Sequence, residues 1–280
     1  MRLLLRSILC AALFFSILGA APEGLQITNP TISRSDDGVS EPAGSVHIGG
    51  DILFFSCRVA NYTKSPEQKV HLSYVVQAFD AKGVPIVEEV KNEVSEEVSP
   101  QDKEWLPRIA TEIPIPPAVF GGKFKISVKV DDLIAKTSTS LDVPFTVRGH
   151  AIEPTEKLAV QNMRYYRAEE DTKPMDKPVY KAGDALWFRF DVTGFKYGKG
   201  NMVDLSYTFS VLGADGNALW TSPEPIVDQG ESFYPKPFVS GAFSIKVQAA
   251  VQPGNYFIGV KATDAVGKQV VEAKQPFTVQ

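Results

Sequence analysis

The sequence contains one unit that occurs twice. The dipeptide Gly50-Asp51 recurs 133 residues later as Gly183-Asp184. Further along, the offset becomes 132, where residues 144–147 (Pro-Phe-Thr-Val) match residues 276–279. An internal repeat of this length indicates that each copy forms the same structural unit. The fold of the chain therefore follows from the fold of one copy.

Within each copy, apolar residues alternate with other residues. This two-residue period is typical of a β-strand with one buried face, and turn signals such as Pro253-Gly254 separate the strands. Several short strands joined by turns predict an all-β fold of two tandem antiparallel β-sandwich domains, each with about seven strands. The alternation is seen in two matched sets, Leu53, Phe55, Cys57 and Val59 and then Leu186, Phe188, Phe190 and Val192.

One segment departs from this pattern. The valines at positions 87, 90, 94 and 98 have helix-like spacing among several glutamates. Because β-branched residues are mediocre helix formers, we expect a loop or a single short helix here. The acidic residues 88–104 are then either a contact for a basic partner or a solubilising loop.

Two short stretches carry a family resemblance. Residues 251–256 (Val-Gln-Pro-Gly-Asn-Tyr) resemble the approach to the sixth strand of bacterial immunoglobulin-like and fibronectin-type-III-like domains, where a tyrosine hydroxyl bonds to upstream backbone. The first copy has Phe124 in place of Tyr256. Residues 176–184 also resemble the opening of macroglobulin-type domains of the α2-macroglobulin family, but the sequence has no Cys-Gly-Glu-Gln thioester motif. The resemblance implies an immunoglobulin-like fold and no particular activity.

The N-terminus predicts export. Residues 1–20 have a basic start, an apolar run of about a dozen residues and small residues at the end, which describes a signal peptide. The run is shorter than the roughly 20 residues needed to span a bilayer. We predict a signal peptide at 1–20, immunoglobulin-like domains at 21–148 and 158–280, and a linker at 149–157. The mature chain is then a soluble periplasmic or secreted protein without an integral membrane segment.

Composition excludes some partners and cofactors. The formal net charge of −4 argues against nucleic acid, because neutralising phosphates needs a basic surface. Of two cysteines, only Cys57 follows the signal peptide, and it takes the place of Phe190, so we expect a buried small hydrophobe. No pair of histidines or cysteines has metal-ligand spacing, and we expect neither metal nor cofactor. The acidic pairs lack the spacing of a calcium loop; they are Asp36-Asp37, Asp131-Asp132 and Glu169-Glu170.

The sequence shows no catalytic pattern. Its three histidines, His47, His71 and His150, lie in different segments, and the Gly-x-Ser-x-Gly pattern of a nucleophile elbow does not occur. We therefore expect that the chain is not an enzyme.

Aromatic residues interleaved with lysines mark one end of the second domain. The loops after its second, fourth and sixth strands should meet there. These side chains could bind a sugar or an acidic partner, seal the end of the core, or contact the first domain, which we favour because the linker places that domain nearby. The candidate residues are Phe195, Lys196, Tyr197, Lys199, Phe233, Tyr234, Lys236, Phe238 and Lys268.

Taken together, these features predict an exported binding or structural protein of the cell envelope or extracellular space, acting through protein–protein contacts. The main alternative is a carbohydrate-binding accessory module that uses the aromatic loops. Two lesser alternatives are a protease inhibitor that presents the proline-containing segment 88–117, and a hydrolase with an unrecognised site.

Overall fold

The computed structural model describes residues 24–102 and 104–280, and these residues have the predicted all-β sandwich fold. The predicted signal peptide, residues 1–20, lies outside the described residues. Among the described residues, the one helical element is a 3-10 turn at Lys199–Asn201. No helix in the described part of the chain has the length and apolar character needed to cross a membrane.

Seventeen strands are described, and four sheets are built from them. The strands of the N-terminal half are β1 (Gln26–Ser33), β2 (Val46–Ile48), β3 (Ile52–Ala60), β4 (Lys69–Phe79), β5 (Val90–Glu97), β6 (Arg108–Pro114), β7 (Gly122–Asp132) and β8 (Thr137–Arg148). The strands of the C-terminal half are β9 (Ala159–Tyr166), β10 (Val179–Tyr180), β11 (Ala185–Thr193), β12 (Val203–Leu212), β13 (Ala218–Thr221), β14 (Ile226–Gly230), β15 (Val239–Lys246), β16 (Gly254–Asp264) and β17 (Gln269–Val279).

The two halves share one strand order. The N-terminal half pairs β1-β3-β6 in one sheet and β2-β8-β7-β4-β5 in the other. The C-terminal half pairs β9-β11-β15 and β10-β17-β16-β12-β13, with β14 also on β12. In each half, the short strand at the sheet edge, β2 or β10, runs parallel to the last strand. The sequence repeat is thus also a repeat of sheet topology.

Alternation along the strands places one face of each sheet in a hydrophobic core. In β3 every second residue from Leu53 to Val59 is buried while the residues between them are more exposed. β11 alternates in the same way from Leu186 to Phe190, after which each residue to Thr193 is buried. Cys57 is a free, buried cysteine, as the repeat predicted. Burial raises the pKa of its thiol to about 11, so the nucleophilic thiolate is scarce at neutral pH.

The prediction of a loop or short helix around the spaced valines is wrong. Residues Val90–Glu97 form β5, an edge strand paired antiparallel with β4, with Val90 opposite Val76. A spacing of four fits both a helical face and one face of a strand, so Val90, Val94 and Val98 were compatible with either. The valines pack against the core while exposed glutamates occupy the edge. Charged side chains protect an edge strand from pairing with other chains.

The same observation corrects the expected protease-inhibitor loop. The segment 88–117 contains β5 and β6, which are both sheet strands. It is therefore not one long exposed loop.

The tyrosine link implied by the resemblance is present in the second copy. The hydroxyl of Tyr256 donates a hydrogen bond to the carbonyl oxygen of Gln252 at 2.7 Å. Phe124, its counterpart in the first copy, is buried against Phe145.

A substitution at Cys57 tests whether the hydrophobic core of the N-terminal half excludes water and hydrogen-bond partners at this position. The variant Cys57→Ser places a hydroxyl where a buried thiol lies, and an unpaired buried hydroxyl costs about 1–3 kcal/mol. We expect Cys57→Ser to be less stable than Cys57→Ala by at least about 1 kcal/mol in urea unfolding. Equal stability of the two variants would contradict this view of the core.

Candidate functional site

The loop that follows β14 contacts the N-terminal half; we call residues 233–238 the aromatic loop. Its Tyr234 is buried and belongs to the hydrophobic cluster of the N-terminal half. The Tyr234 hydroxyl donates a hydrogen bond to Oδ2 of Asp80 at 2.9 Å. Burial and the neighbouring Asp80 carboxylate both raise the pKa of Tyr234. The tyrosine therefore remains a protonated donor between the two halves.

A second aromatic side chain of this loop packs on the connecting segment. The ring of Phe238 stacks on His150, with ring centroids 4.9 Å apart and planes 29° apart. It also lies 6.5 Å from the ring of Phe120 in the N-terminal half. His150 lies two residues after the end of β8, so Phe238 packs on the chain where it passes from one half to the other.

A buried carboxylate lies beneath this contact. Oδ2 of Asp191 lies 2.6 Å from Nε2 of His150 and accepts a hydrogen bond from Nδ2 of Asn162 at 2.7 Å. Oδ1 accepts the hydroxyl of Ser240 at 2.5 Å. Hydrogen bonds to an ionised carboxylate are stronger than neutral ones and offset its burial. This cluster ties the connecting segment to β9, β11 and β15.

The three side chains Ser240, Asp191 and His150 are hydrogen-bonded in a different order from the catalytic triad of a hydrolase. In a Ser-His-Asp triad, the imidazole lies between the serine and the carboxylate. Here the carboxylate of Asp191 lies between Ser240 and His150. The imidazole is therefore not placed to accept the serine proton, and the cluster fits a positioning role.

Sequence reasoning did not find this cluster. One signal was available in the sequence, since Asn162 lies at the position of Asn29 in the repeat. In the structure both residues have positive φ angles, 50° and 48° respectively. Asp191, however, takes the place of Arg58 in the other copy. A contact found in one copy alone cannot be inferred from the repeat.

The predicted loops of the C-terminal half do come together. The hydroxyl of Tyr197 donates to the carbonyl oxygen of Lys236 at 2.6 Å, and Asn201 donates to the carbonyl oxygen of Phe233 at 2.7 Å. The backbone N–H of Lys196 donates to the buried carboxylate of Asp264 at 3.0 Å. These contacts join the loops after β11, β14 and β16.

The remaining candidate residues divide into buried and exposed ones. Phe195 is buried in the core of the C-terminal half, edge-on to Tyr197. Lys199 lies in the 3-10 turn and Lys268 in the turn before β17, and both are exposed. Two aromatic side chains stay largely accessible: Tyr197 is 41% and Phe233 48% exposed.

An apolar groove lies beside the aromatic loop. Its volume is about 610 Å³, and residues from both halves line it, among them Pro116, Pro117, Phe233 and Phe238. Ligand sites commonly have volumes of about 300–1,000 Å³. The groove is therefore large enough for a small molecule or a short peptide segment.

Two of the three acidic pairs of the sequence have basic neighbours. Arg108 lies 3.1 Å from Asp36 and 2.8 Å from Asp37. Lys129 contacts Asp131 and lowers the pKa of that carboxyl. Among residues 24–102 and 104–280, no group of three or more His, Cys, Asp or Glu side chains is placed to hold a metal ion.

Comparisons with known proteins find similarity among solved structures but not among families or curated proteins. No protein-family model and no curated protein matches the sequence. Among solved structures, the chain is similar to the transglutaminase of red sea bream, with 11% identity and a TM-score of 0.27. The match covers 91% of this chain but 31% of the transglutaminase, so the chain spans less than a third of that protein. A likeness of this size assigns no activity to the chain.

This comparison corrects one expectation. From the sequence we expected that the chain is not an enzyme, whereas a solved structure to which it is similar is that of a transglutaminase, which is an enzyme. The expectation is contradicted and is withdrawn. The all-β architecture is compatible with immunoglobulin-like domains, but no family is established by the comparisons.

A conservative substitution tests the contact between the halves. Tyr234→Phe removes the hydrogen bond to Asp80 and keeps the ring, which should cost about 2 kcal/mol because the acceptor is charged. We expect faster trypsin cleavage after Lys157, measured by gel electrophoresis over time. Tyr197→Phe is the matched control, since its hydroxyl bonds within the C-terminal half. Equal cleavage rates in both variants would show that the Tyr234 bond does not hold the halves together.

Proposed function

We propose that this chain is an exported protein of the cell envelope or extracellular space that works by binding another protein. Its two immunoglobulin-like halves act as the scaffold, and the open edge formed by β13 and β14 is the binding surface. The partner contributes an extended segment with alternating apolar and basic residues.

The apolar character of this edge carries the proposal. Leu219 is 62% and Val227 61% exposed, and Trp220 and Ile226 are also exposed. All four lie on strands that pair with the same neighbour, β12, at the edge of the sheet. Exposed apolar patches on a folded surface mark interaction sites more often than single exposed residues do.

Charge and backbone geometry support the choice of partner. The segment 218–231 carries three acidic residues and no basic one, the acidic residues being Glu224, Asp228 and Glu231. A partner strand with flanking lysines or arginines would complement this rim. An edge strand also presents backbone N–H and C=O groups that an added strand can pair with.

The other surfaces of the chain fit this function less well. The aromatic loop is largely engaged with the N-terminal half through Tyr234 and Phe238. The edge at β5 is lined by glutamates, which oppose strand addition. Export is supported by the composition of residues 1–20, which is that of a signal peptide.

The proposal is tested by panning a random peptide library against the mature chain, residues 21–280. We expect enriched peptides to alternate apolar and basic residues, and Val227→Lys to weaken their binding at least about tenfold because it adds like charge and removes apolar area. The matched control is Val39→Lys, an exposed valine in the N-terminal half. Enrichment without that pattern, or unchanged binding to Val227→Lys, would overturn the proposal.

Carbohydrate binding is the second candidate, favoured by the two accessible aromatic rings near the groove. Tyr197 and Phe233 could stack on a sugar ring. On a glycan array, the double variant Tyr197→Ala/Phe233→Ala should lose the signals given by the intact protein. The control is Trp220→Ala, an exposed aromatic residue on β13. An array without signals, or with signals unchanged in the double variant, would remove this candidate.

A further inference from the structure

The two halves differ at one corner of the sandwich, where the C-terminal half is filled by aromatic rings. The rings of Tyr165 and Tyr180 lie 5.9 and 6.2 Å from the ring of Phe277. Both hydroxyls are satisfied: Tyr165 donates to the carbonyl oxygen of Gln275 at 2.5 Å, and Tyr180 to that of Tyr166 at 3.1 Å. This corner is closed and its polar atoms are paired.

The corresponding corner of the N-terminal half can be assigned position by position. The repeat places Ile32 at the position of Tyr165 and His47 at that of Tyr180. The sheet register agrees, because His47 pairs with Val147 on β8 as Tyr180 pairs with Val279 on β17. Two large aromatic rings of one copy are therefore replaced by smaller side chains in the other.

At a third position of this corner, the C-terminal half has an apolar side chain and the N-terminal half has a charged one. The backbone N–H of Glu41 donates to the carbonyl oxygen of Ile32 at 2.8 Å. In the other half, the N–H of Met175 donates in the same way to Tyr165, also at 2.8 Å. Met175 packs against the core of its half, so Glu41 brings a carboxylate to a position that is otherwise apolar.

An open groove results in the N-terminal half. It has a volume of about 470 Å³ and is lined by Ile32, Glu41, His47, Lys123 and Phe145, among others. Phe145 corresponds to Phe277 and lies edge-on to His47, with ring centroids 6.1 Å apart. The size is that of an ordinary small-ligand site.

Two residues that line this groove each have a buried polar atom without a hydrogen-bond partner among the described residues. The side chain of His47 is only 3% exposed, and its Nδ1 has no hydrogen-bond partner among the described residues. The same holds for Oε2 of Glu41, which lies 3.6 Å from Nε2 of His47. The other carboxylate oxygen, Oε1, is bound by Arg34. Buried polar groups in folded proteins are nearly always satisfied, so these two atoms are available to a further hydrogen-bond partner.

We propose that this groove binds an aromatic group that carries a hydrogen-bond donor, such as a phenol or an arylalkylamine. The ring takes the space that the rings of Tyr165 and Tyr180 fill in the other half, beside Phe145. Its hydroxyl or amine donates to Oε2 of Glu41, and a hydroxyl also completes the hydrogen bonding of His47 Nδ1. The group arrives either as a free small molecule or as a tyrosine side chain of another protein. This site is separate from the β13–β14 edge and does not depend on the function proposed for that edge.

The test measures binding of defined probes to the mature chain, residues 21–280. The free probes are p-cresol and tyramine, and the peptide probe is acetyl-Gly-Tyr-Gly-amide. We expect saturable binding by calorimetry and a rise of about 2–4 °C in the melting temperature near saturation. Binding of the free probes identifies a small-molecule site, whereas binding of the peptide alone identifies a tyrosine side chain as the source. Absence of saturable binding by all three probes would overturn the proposal.

Two variants locate the binding in this groove. The double variant Ile32→Tyr/His47→Tyr gives the N-terminal half the two tyrosines that fill the corresponding corner of the C-terminal half. It should lower the affinity for the probes at least tenfold, because the tyrosine rings occupy the groove. The matched control is His71→Tyr, which changes an exposed histidine on β4. Unchanged affinity in the folded double variant would contradict the site.

A second variant covers the case in which the double variant fails to fold. Glu41→Gln keeps the shape of the side chain and removes its charge. It should weaken tyramine at least tenfold and p-cresol less, because the ammonium group depends more on the carboxylate charge. An equal or absent effect on both probes would rule out Glu41 as the acceptor and so overturn the proposal.

Discussion

The two-residue alternation of apolar side chains is the constraint on which the whole structure depends. The central strands have a buried face, and their buried residues hold two sheets together in each half. A shift of one residue in the pairing of any central strand would move its apolar set to the solvent. The inward positions must therefore hold apolar side chains. The two copies can differ mainly at the sheet edges, the turns and the corners of the sandwich.

Buried carboxylates fix the turns in both copies. Asp132 accepts backbone N–H groups of Thr63 and Ile134, and its counterpart Asp264 accepts those of Lys196 and Gly267. In each half, this one side chain joins the loop after the second long strand to the turn before the last strand. Several N–H donors offset the cost of burying the charge. In the C-terminal half, this bond helps to position the loop that carries Tyr197.

The repeat made much of the fold predictable, because each copy supports the assignment of the other. It predicted the buried position of Cys57 from Phe190, and the strands β3 and β11. It could not separate strand from helix at Val90, Val94 and Val98, where a spacing of four fits both. The cluster around Asp191 was not predictable, since His150 and Ser240 are brought to it by the path of the chain between the halves. The exchange of Tyr180 for His47 was visible in the sequence, but its proximity to Glu41 was not.

The difference between the two corners is informative because the rest of the fold is shared. A corner filled by aromatic rings with paired hydroxyls is the more stable solution, and this chain has it in the C-terminal half. The N-terminal half has instead a groove beside atoms of His47 and Glu41 that have no hydrogen-bond partner among the described residues. In general, a buried polar group without a partner costs about 1–3 kcal/mol. Folded proteins have only about 5–15 kcal/mol of net stability, so such a cost is a substantial part of the total. Proteins depart from the most stable local arrangement mainly at functional sites. The groove of the N-terminal half is such a departure, and it occurs in one copy only.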